Sequence, residues 1–137
     1  MPRVNGILET ALSVKAPAKS AEFYRRLFGF ATLLESERLI ALDVADRNVL
    51  LLFLAGATEQ PFASPGGIIP GHGSSGRSHL AFSIDADEFA PWKERLEAEH
   101  VAIESTVTWP GGATSLYFRD PDGHLVELIT PGFWSTY

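Results

Sequence analysis

Tyr117-Phe118-Arg119-Asp120-Pro121-Asp122-Gly123-His124-Leu125-Val126-Glu127 decides how this chain is read. Two runs of alternating apolar residues flank Asp120-Pro121-Asp122-Gly123. Proline presets the backbone dihedral of the first central position of a type I turn, and glycine accepts the left-handed position that follows. The stretch therefore predicts a hairpin with a three-residue loop and a bulge at Gly123. In that register Asp120 pairs with His124, and Tyr117 comes opposite Glu127. A tight two-residue loop shifts the pairing by one and sends Tyr117 to the other face. Glu127 is the odd member of its strand. Leu125 and Ile129 share its face, and a carboxylate among aliphatics is costly unless it is paired or metal-bound.

The bulk properties narrow the field. A chain of 137 residues suits one domain with a real core. A hydrophobic content of 45% with 20% charged residues is ordinary for a globular protein. The net charge of -6 argues against nucleic acid as the main partner, because phosphate binding needs a basic face. With no cysteine there is no disulfide and no thiolate metal site. No apolar run reaches the length of a membrane span, and Met1–Gly6 does not read as a signal peptide. The expected setting is cytoplasmic, with no membrane partner.

Outward from the hairpin, the pattern repeats. Ile7–Val14 reads as a strand, Pro17–Phe28 as a helix closed by Gly29, and Phe30–Glu35, Arg38–Asp43 and Asn48–Leu54 as three further strands. Phe23, Tyr24, Leu27 and Phe28, with Ser20 one turn back, form the inner stripe of the helix. Ala55–Arg77 is rich in Gly, Pro and Ser and has no periodicity, as linkers and functional lids do. Ser78–Asp85 reads as a strand, and Asp87–Glu99 as a helix with Phe89, Trp92 and Leu96 inward. Val101–Trp109, Thr114–Arg119 and His124–Thr130 read as three more strands. The expected organisation is α+β. Two β-α-β-β-β modules, at about 5–55 and 78–130, are joined by a Gly/Pro-rich linker over 56–77. An aromatic tail follows at 131–137.

The internal repeat carries more weight than either half. Glu9-Thr-Ala-Leu-Ser-Val lies over His79-Leu-Ala-Phe-Ser-Ile, so that Ala11 matches Ala81 and Ser13 matches Ser83. Glu9, Ala11 and Ser13 share one strand face, as do His79, Ala81 and Ser83. Such small residues leave a hollow there, with Leu12, Val14, Leu80, Phe82 and Ile84 left to pack on the helices. Asp46-Arg-Asn-Val-Leu-Leu corresponds to Asp122-Gly-His-Leu-Val-Glu, which makes Leu51 the first-half counterpart of Glu127. The hollow holds Glu9 and His79 on the two first strands and Glu127 on the last.

These features resemble the vicinal oxygen chelate superfamily of glyoxalases, extradiol dioxygenases and fosfomycin- and bleomycin-resistance proteins. The resemblance covers nearly the whole chain. It rests on the paired modules, on Ser20-Ala-Glu-Phe-Tyr-Arg-Arg-Leu-Phe-Gly-Phe, which looks like the family's first-helix signature, and on Phe118-Arg-Asp-Pro-Asp-Gly-His-Leu-Val-Glu, which looks like its terminal hairpin. It implies cupped mixed sheets that enclose one divalent metal. Its ligands come from the first strand of each module and from the last strands. By position they are Glu9, His79 and Glu127. The family often has His where this chain has Glu9. Glyoxalase I has a fourth protein ligand where this chain has Leu51, and the two-His-one-carboxylate set of an iron dioxygenase is not met. The hard donor set suits Mn²⁺, Mg²⁺, Fe²⁺ or Zn²⁺.

Around that triad, Tyr117, Ser115, Arg119 and Trp109 are the candidate substrate-binding residues. Tyr117 would hydrogen-bond substrate, and Arg119 would meet an anionic group or else pair with Asp120 or Asp122. Glu9, Glu127 and Tyr117 are the candidate catalytic residues. His124 falls on the face opposite Glu127 and is expected to be structural or exposed. His72 is a candidate lid residue, and His100 suits a helix C-terminus. The leading expectation is a metal-dependent enzyme, a lyase, isomerase, dioxygenase or group transferase, that acts on a small substrate chelated through adjacent oxygens. The alternative is a metal-free, bleomycin-resistance-like protein that sequesters a ligand, and a third reading is a module with a vestigial site. A homodimer is expected, since related two-module chains usually pair.

Overall fold

The computed structural model describes residues 1–137 as two compact units, Met1–Gly76 and Arg77–Tyr137. The first unit holds β1 (Glu9–Val14), α1 (Pro17–Phe28), β2 (Thr32–Glu35), β3 (Leu39–Val44) and β4 (Asn48–Leu54), then a small hairpin of β5 (Phe62–Ser64) and β6 (Gly67–Ile69). The second holds β7 (His79–Ser83), a single 3₁₀ turn at Ala86–Glu88, α2 (Phe89–Ala98), β8 (Ser105–Thr108), β9 (Thr114–Arg119) and β10 (Leu125–Ile129). Each unit builds a four-stranded mixed sheet. The orders are β1-β4-β3-β2 and β7-β10-β9-β8, with a parallel pair at one end and antiparallel pairs elsewhere. The α+β class and the repeated β-α-β-β-β module therefore hold.

The register of the two sheets shows the repeat residue by residue. Ala11 pairs with Leu51 in the first sheet, and Ala81 pairs with Glu127 in the second. Glu9 pairs with Val49 as His79 pairs with Leu125. Leu51 is thus the structural counterpart of Glu127, and Ala41, its other neighbour, is the counterpart of Tyr117.

Helix α1 forms where the pattern places it. Pro17 occupies the first turn, where its missing N–H removes nothing. Arg25 and Arg26 sit in the last turn, where positive charge suits the helix dipole. Gly29 takes the left-handed conformation at φ 74° and donates its N–H to the Arg25 carbonyl at 2.9 Å. Phe23, Tyr24 and Leu27 are buried against the sheet with Leu12, Val14, Ile40, Leu42, Leu50 and Leu52. Each such side chain contributes roughly 1.5–3 kcal/mol on burial. In the second unit Leu80, Leu96, Leu116, Phe118, Val126 and Leu128 are buried, and Phe89 and Trp92 are half-buried on the helix. The opposite sheet face keeps Glu9, Ala11, His79, Ala81 and Ser83 exposed, as the small residues predict.

Three stretches differ from expectation. Residues 55–77 are not featureless. Ser64-Pro65-Gly66-Gly67 turns the chain between β5 and β6, and the Ser64 hydroxyl donates to the Gly67 carbonyl at 2.6 Å. The base of that loop is pinned, since the Thr58 hydroxyl donates to the His72 carbonyl at 2.6 Å and the His72 N–H donates to the Thr58 carbonyl at 2.8 Å. The strand read over Val101–Trp109 pairs only from Ser105. His100 turns left-handed at φ 57°, and Val101 donates its N–H back to the Leu96 carbonyl, so the first residues leave the helix rather than join the ladder. Ile7 and Leu8 lie outside β1, although the Leu8 carbonyl still accepts the Val49 N–H at 2.8 Å.

The hairpin itself is as read. Gly123 donates its N–H to the Asp120 carbonyl at 3.0 Å, and Asp120 donates its own to the His124 carbonyl at 3.1 Å. The Asp120 carboxylate accepts the N–H groups of Asp122 and His124 at 3.0 and 2.9 Å, which stiffens the loop from inside. Gly123 has φ 81°, and an added Cβ would sit 3.1 Å from the Arg77 side chain. Gly123→Ala is expected to cost about 1–2 kcal/mol through the left-handed strain alone, read as a lower urea midpoint with an unchanged slope. An unchanged midpoint would contradict the turn assignment.

Candidate functional site

The second unit gathers most of the candidate residues on one sheet face. Alternation along the strands places His79, Ala81 and Ser83 of β7, Leu125, Glu127 and Ile129 of β10, and Ser115, Tyr117 and Arg119 of β9 on that side. Val107, on the adjoining strand β8, pairs with Ser115, and Trp109 follows two residues later. Trp109 donates its backbone N–H to Ala113 at 2.8 Å and so stays in the hairpin.

Glu127 is the centre of the group. It is only 7% exposed, yet both carboxylate oxygens are engaged. Oε2 accepts the Ser115 hydroxyl at 2.6 Å, and Oε1 lies 3.2 Å from His79 Nε2. The His79 ring is half exposed, and its Nδ1 lies 3.0 Å from the Leu125 carbonyl oxygen. A carbonyl only accepts, so Nδ1 carries a proton in that contact. On a neutral ring Nε2 then presents a lone pair toward a carboxylate oxygen. Two electron-rich atoms at this separation need a proton or a cation between them. A ring in this position can pair with Glu127 directly when protonated, and with Nδ1–H held by a backbone carbonyl its Nε2 could instead serve as a metal ligand.

Tyr117 pairs with Glu127 across the ladder, as the hairpin register requires. Its ring centroid lies 6.3 Å from that of His79. Burial, and then the hydrogen bond to Glu127 and its negative charge, push the phenol above the ordinary tyrosine range, while the contact with Ser115 opposes this. Tyr117 is therefore a proton donor throughout the neutral range.

The remaining candidates have other partners. Arg119 is bound by Glu104, with Nε to Oε2 at 2.7 Å and NH2 to Oε1 at 3.1 Å, and NH1 donates to the Gly123 carbonyl at 3.1 Å. Its ion pair is with Glu104 rather than with Asp120 or Asp122. That partner carried no sequence signal, because Glu104 lies in the irregular approach to β8. The same hydrogen bond holds the Glu104 carboxyl below its usual range. The Trp109 indole N–H donates to the Ser115 hydroxyl at 2.9 Å. His124 is buried, and its Nδ1 accepts the Ser78 N–H at 2.9 Å, a structural role that ties the hairpin to the start of β7. His72 packs the edge of its ring on Phe53, 4.9 Å between centroids, within the first unit. Glu9 belongs to the first unit, exposed on β1 at the register position equivalent to His79. Within either unit no three His, Asp or Glu side chains gather into a metal cluster.

With that geometry, comparison with known proteins is informative. Residues 6–128 match the model of the Glyoxalase/Bleomycin resistance protein/Dioxygenase superfamily. The chain is 33% identical over 128 residues to the metallothiol transferase FosB of Staphylococcus haemolyticus, covering 93% of this chain and 84% of that protein. A shorter stretch of 51 residues, 37% of this chain and 35% of the relative, is 41% identical to the glutathione transferase FosA of Serratia marcescens. Among solved structures, the lactoylglutathione lyase of Agrobacterium tumefaciens superposes with a TM-score of 0.89 at 33% identity, covering 98% of this chain and 99% of that one.

The raised Tyr117 phenol gives a direct expectation. In the protein without added metal, the tyrosinate absorbance lost in Tyr117→Phe should appear at higher pH than that of an exposed tyrosine, whose usual value is about 10. Glu127→Gln should bring it part of the way back, since burial remains. The sign for stability follows. A folded-state value above the unfolded one is neutral in effect below about pH 10, and it costs stability as pH rises from there toward the folded value. A difference absorbance at the ordinary position would contradict the contact with Glu127.

Proposed function

We propose, from the premise that the chain belongs to the Glyoxalase/Bleomycin resistance protein/Dioxygenase superfamily, that it is a metal-dependent enzyme that makes or breaks the bond between a thiol and a small oxygen-rich substrate. The observation that carries the metal dependence is the facing of His79 Nε2 and Glu127 Oε1 with Nδ1 already committed to Leu125. The thiol is suggested by what the relatives are: a metallothiol transferase, a glutathione transferase and a lactoylglutathione lyase. This chain has no cysteine, so the thiol belongs to the substrate or to a co-substrate.

In this reading His79 Nε2 and Glu127 Oε1 would hold a divalent cation such as Mn²⁺, Mg²⁺, Fe²⁺ or Zn²⁺, and Glu9 is the further ligand candidate that the test below examines. When bound, such a cation supplies Lewis acidity to oxygens on which negative charge develops. Tyr117, protonated at neutral pH, gives its one O–H to Glu127, and a substrate oxygen would have to compete for that proton. Glu127 is held by Ser115, while Glu9 is exposed on β1. Arg119, engaged by Glu104 and Gly123, contributes to the hairpin rather than to an anionic subsite. The proposal includes a homodimer. Leu33 and Leu34 on the edge strand β2 are 57% and 51% exposed, a surface that pairing would cover.

Elemental analysis of the purified protein after equilibration with Mn²⁺, Fe²⁺ or Zn²⁺ tests the reading. About one ion per chain is expected for the wild type, lost on dialysis in Glu127→Gln and in Glu9→Gln. An ion-free wild type would sink the metal reading and leave the ligand-sequestering one. Retention in Glu9→Gln alone would remove Glu9 from the set. Sedimentation equilibrium is expected to give twice the chain mass, and Leu34→Glu the chain mass; a monomeric wild type would remove the dimer.

A further inference from the structure

We infer that Trp109 and Ser115 are positioning residues that act on the metal through Glu127, by a one-way hydrogen-bond relay. The inference rests on the metal reading of Glu127 given above. The direction of the relay follows from the donor inventory. The Trp109 indole N–H can only donate, so the Ser115 oxygen accepts it at 2.9 Å. A carboxylate only accepts, so the single Ser115 proton goes to Glu127 Oε2 at 2.6 Å. With Oε2 held in this way, Oε1 is the atom left toward His79 at 3.2 Å. The relay therefore selects which oxygen faces the imidazole. Ser115 is fully buried, which leaves water no access to compete. A hydrogen bond to an ionised acceptor in such surroundings is among the stronger kinds.

The far end of the relay is also held. Gly111 and Gly112, at φ 94° and 96°, turn the chain between β8 and β9, so that Trp109 returns beside Ser115. The Trp109 ring packs against Phe133, 4.4 Å between centroids, and Phe133 packs on Trp134 at 4.7 Å. That tail segment is itself anchored. The Tyr137 hydroxyl donates to the Ile84 carbonyl at 2.8 Å, and the Gly132 N–H donates to the Tyr137 carbonyl at 3.0 Å. Both polar groups, which sequence reasoning assigns to a substrate, are spent on fixing a ligand.

The test combines Zn²⁺ calorimetry on the full chain with NMR of the Trp109 indole N–H, assigned with Trp109→Phe. Ser115→Ala is expected to weaken Zn²⁺ roughly 10–100-fold, the usual cost of losing an outer partner of a ligand. Ser115→Thr, which keeps the hydroxyl, should restore the wild-type affinity. Trp109→Phe, which keeps the ring against Phe133, should weaken Zn²⁺ by a smaller factor. Glu127→Gln should move the Trp109 indole resonance, although Trp109 reaches Glu127 only through Ser115. A merely structural role for Ser115 would leave that resonance unmoved by Glu127→Gln. Wild-type affinity in both Ser115→Ala and Trp109→Phe would overturn the relay and leave the metal reading standing. A wild type that binds no Zn²⁺ would overturn the metal reading, and the relay's action on a metal with it.

Discussion

A carboxylate in the middle of a buried strand has to be partnered, and the architecture of the second unit follows from how that requirement is met at Glu127. Loss of hydration costs an isolated charge several kcal/mol, more than any one neighbour returns. Glu127 therefore sits where the two adjoining strands converge on it, β7 supplying His79 and β9 supplying Ser115 and Tyr117. None of these contacts is local in sequence except through the hairpin. The turn at Asp120–Gly123 fixes Tyr117 opposite Glu127 and Ser115 opposite Ile129. A register one residue different would put Tyr117 and Ser115 on the helix-packed face.

The repeat explains why only one unit bears this burden. In the first sheet the counterparts of Glu127 and Tyr117 are Leu51 and Ala41, an aliphatic pair that needs no partner. Glu9 stands where His79 stands in the second sheet, without an ionisable neighbour at the Leu51 position. The same backbone thus carries a polar, pre-arranged site in one copy and a single exposed carboxylate in the other. Fold and candidate site separate here: the strand register repeats in both modules, and the residues at the matched positions differ.

Much of this was legible in the sequence, for identifiable reasons. The turn residues fixed the hairpin, and the matched runs beginning at Glu9 and His79 fixed the repeat, because these signals are local and steric. The bounds of α1, β4 and β9 were readable for the same reason. Hidden were the features set by tertiary contact. Phe62–Ser64 and Gly67–Ile69 are too short to show alternation, though Pro65-Gly66 is a turn signal in hindsight. Val101–Ile103 looks strand-like by composition but follows a left-handed His100. The partners of Ser115, Trp109 and Arg119 were beyond reach as well. A sequence shows that a side chain can donate a hydrogen bond, not which acceptor wins it.

That competition for acceptors also bears on what the site can recognise. Arg119, Ser115 and Trp109 are the obvious donors on the face, and each is engaged by the protein itself, at Glu104 and Gly123, at Glu127 and at Ser115. A substrate that drew on any of them would break a bond already made, and it would strip Glu127 of support in two of the three cases. Under the proposed function recognition would fall to the edge of the group: the half-exposed imidazole of His79 and the space over Ala81 and Ser83. A ligand reading such a surface gains little from directional hydrogen bonds to charged side chains. Under the proposed function its binding would depend on oxygens that meet a cation at His79 and Glu127, and on a body small enough to lie over two residues that carry almost no side chain.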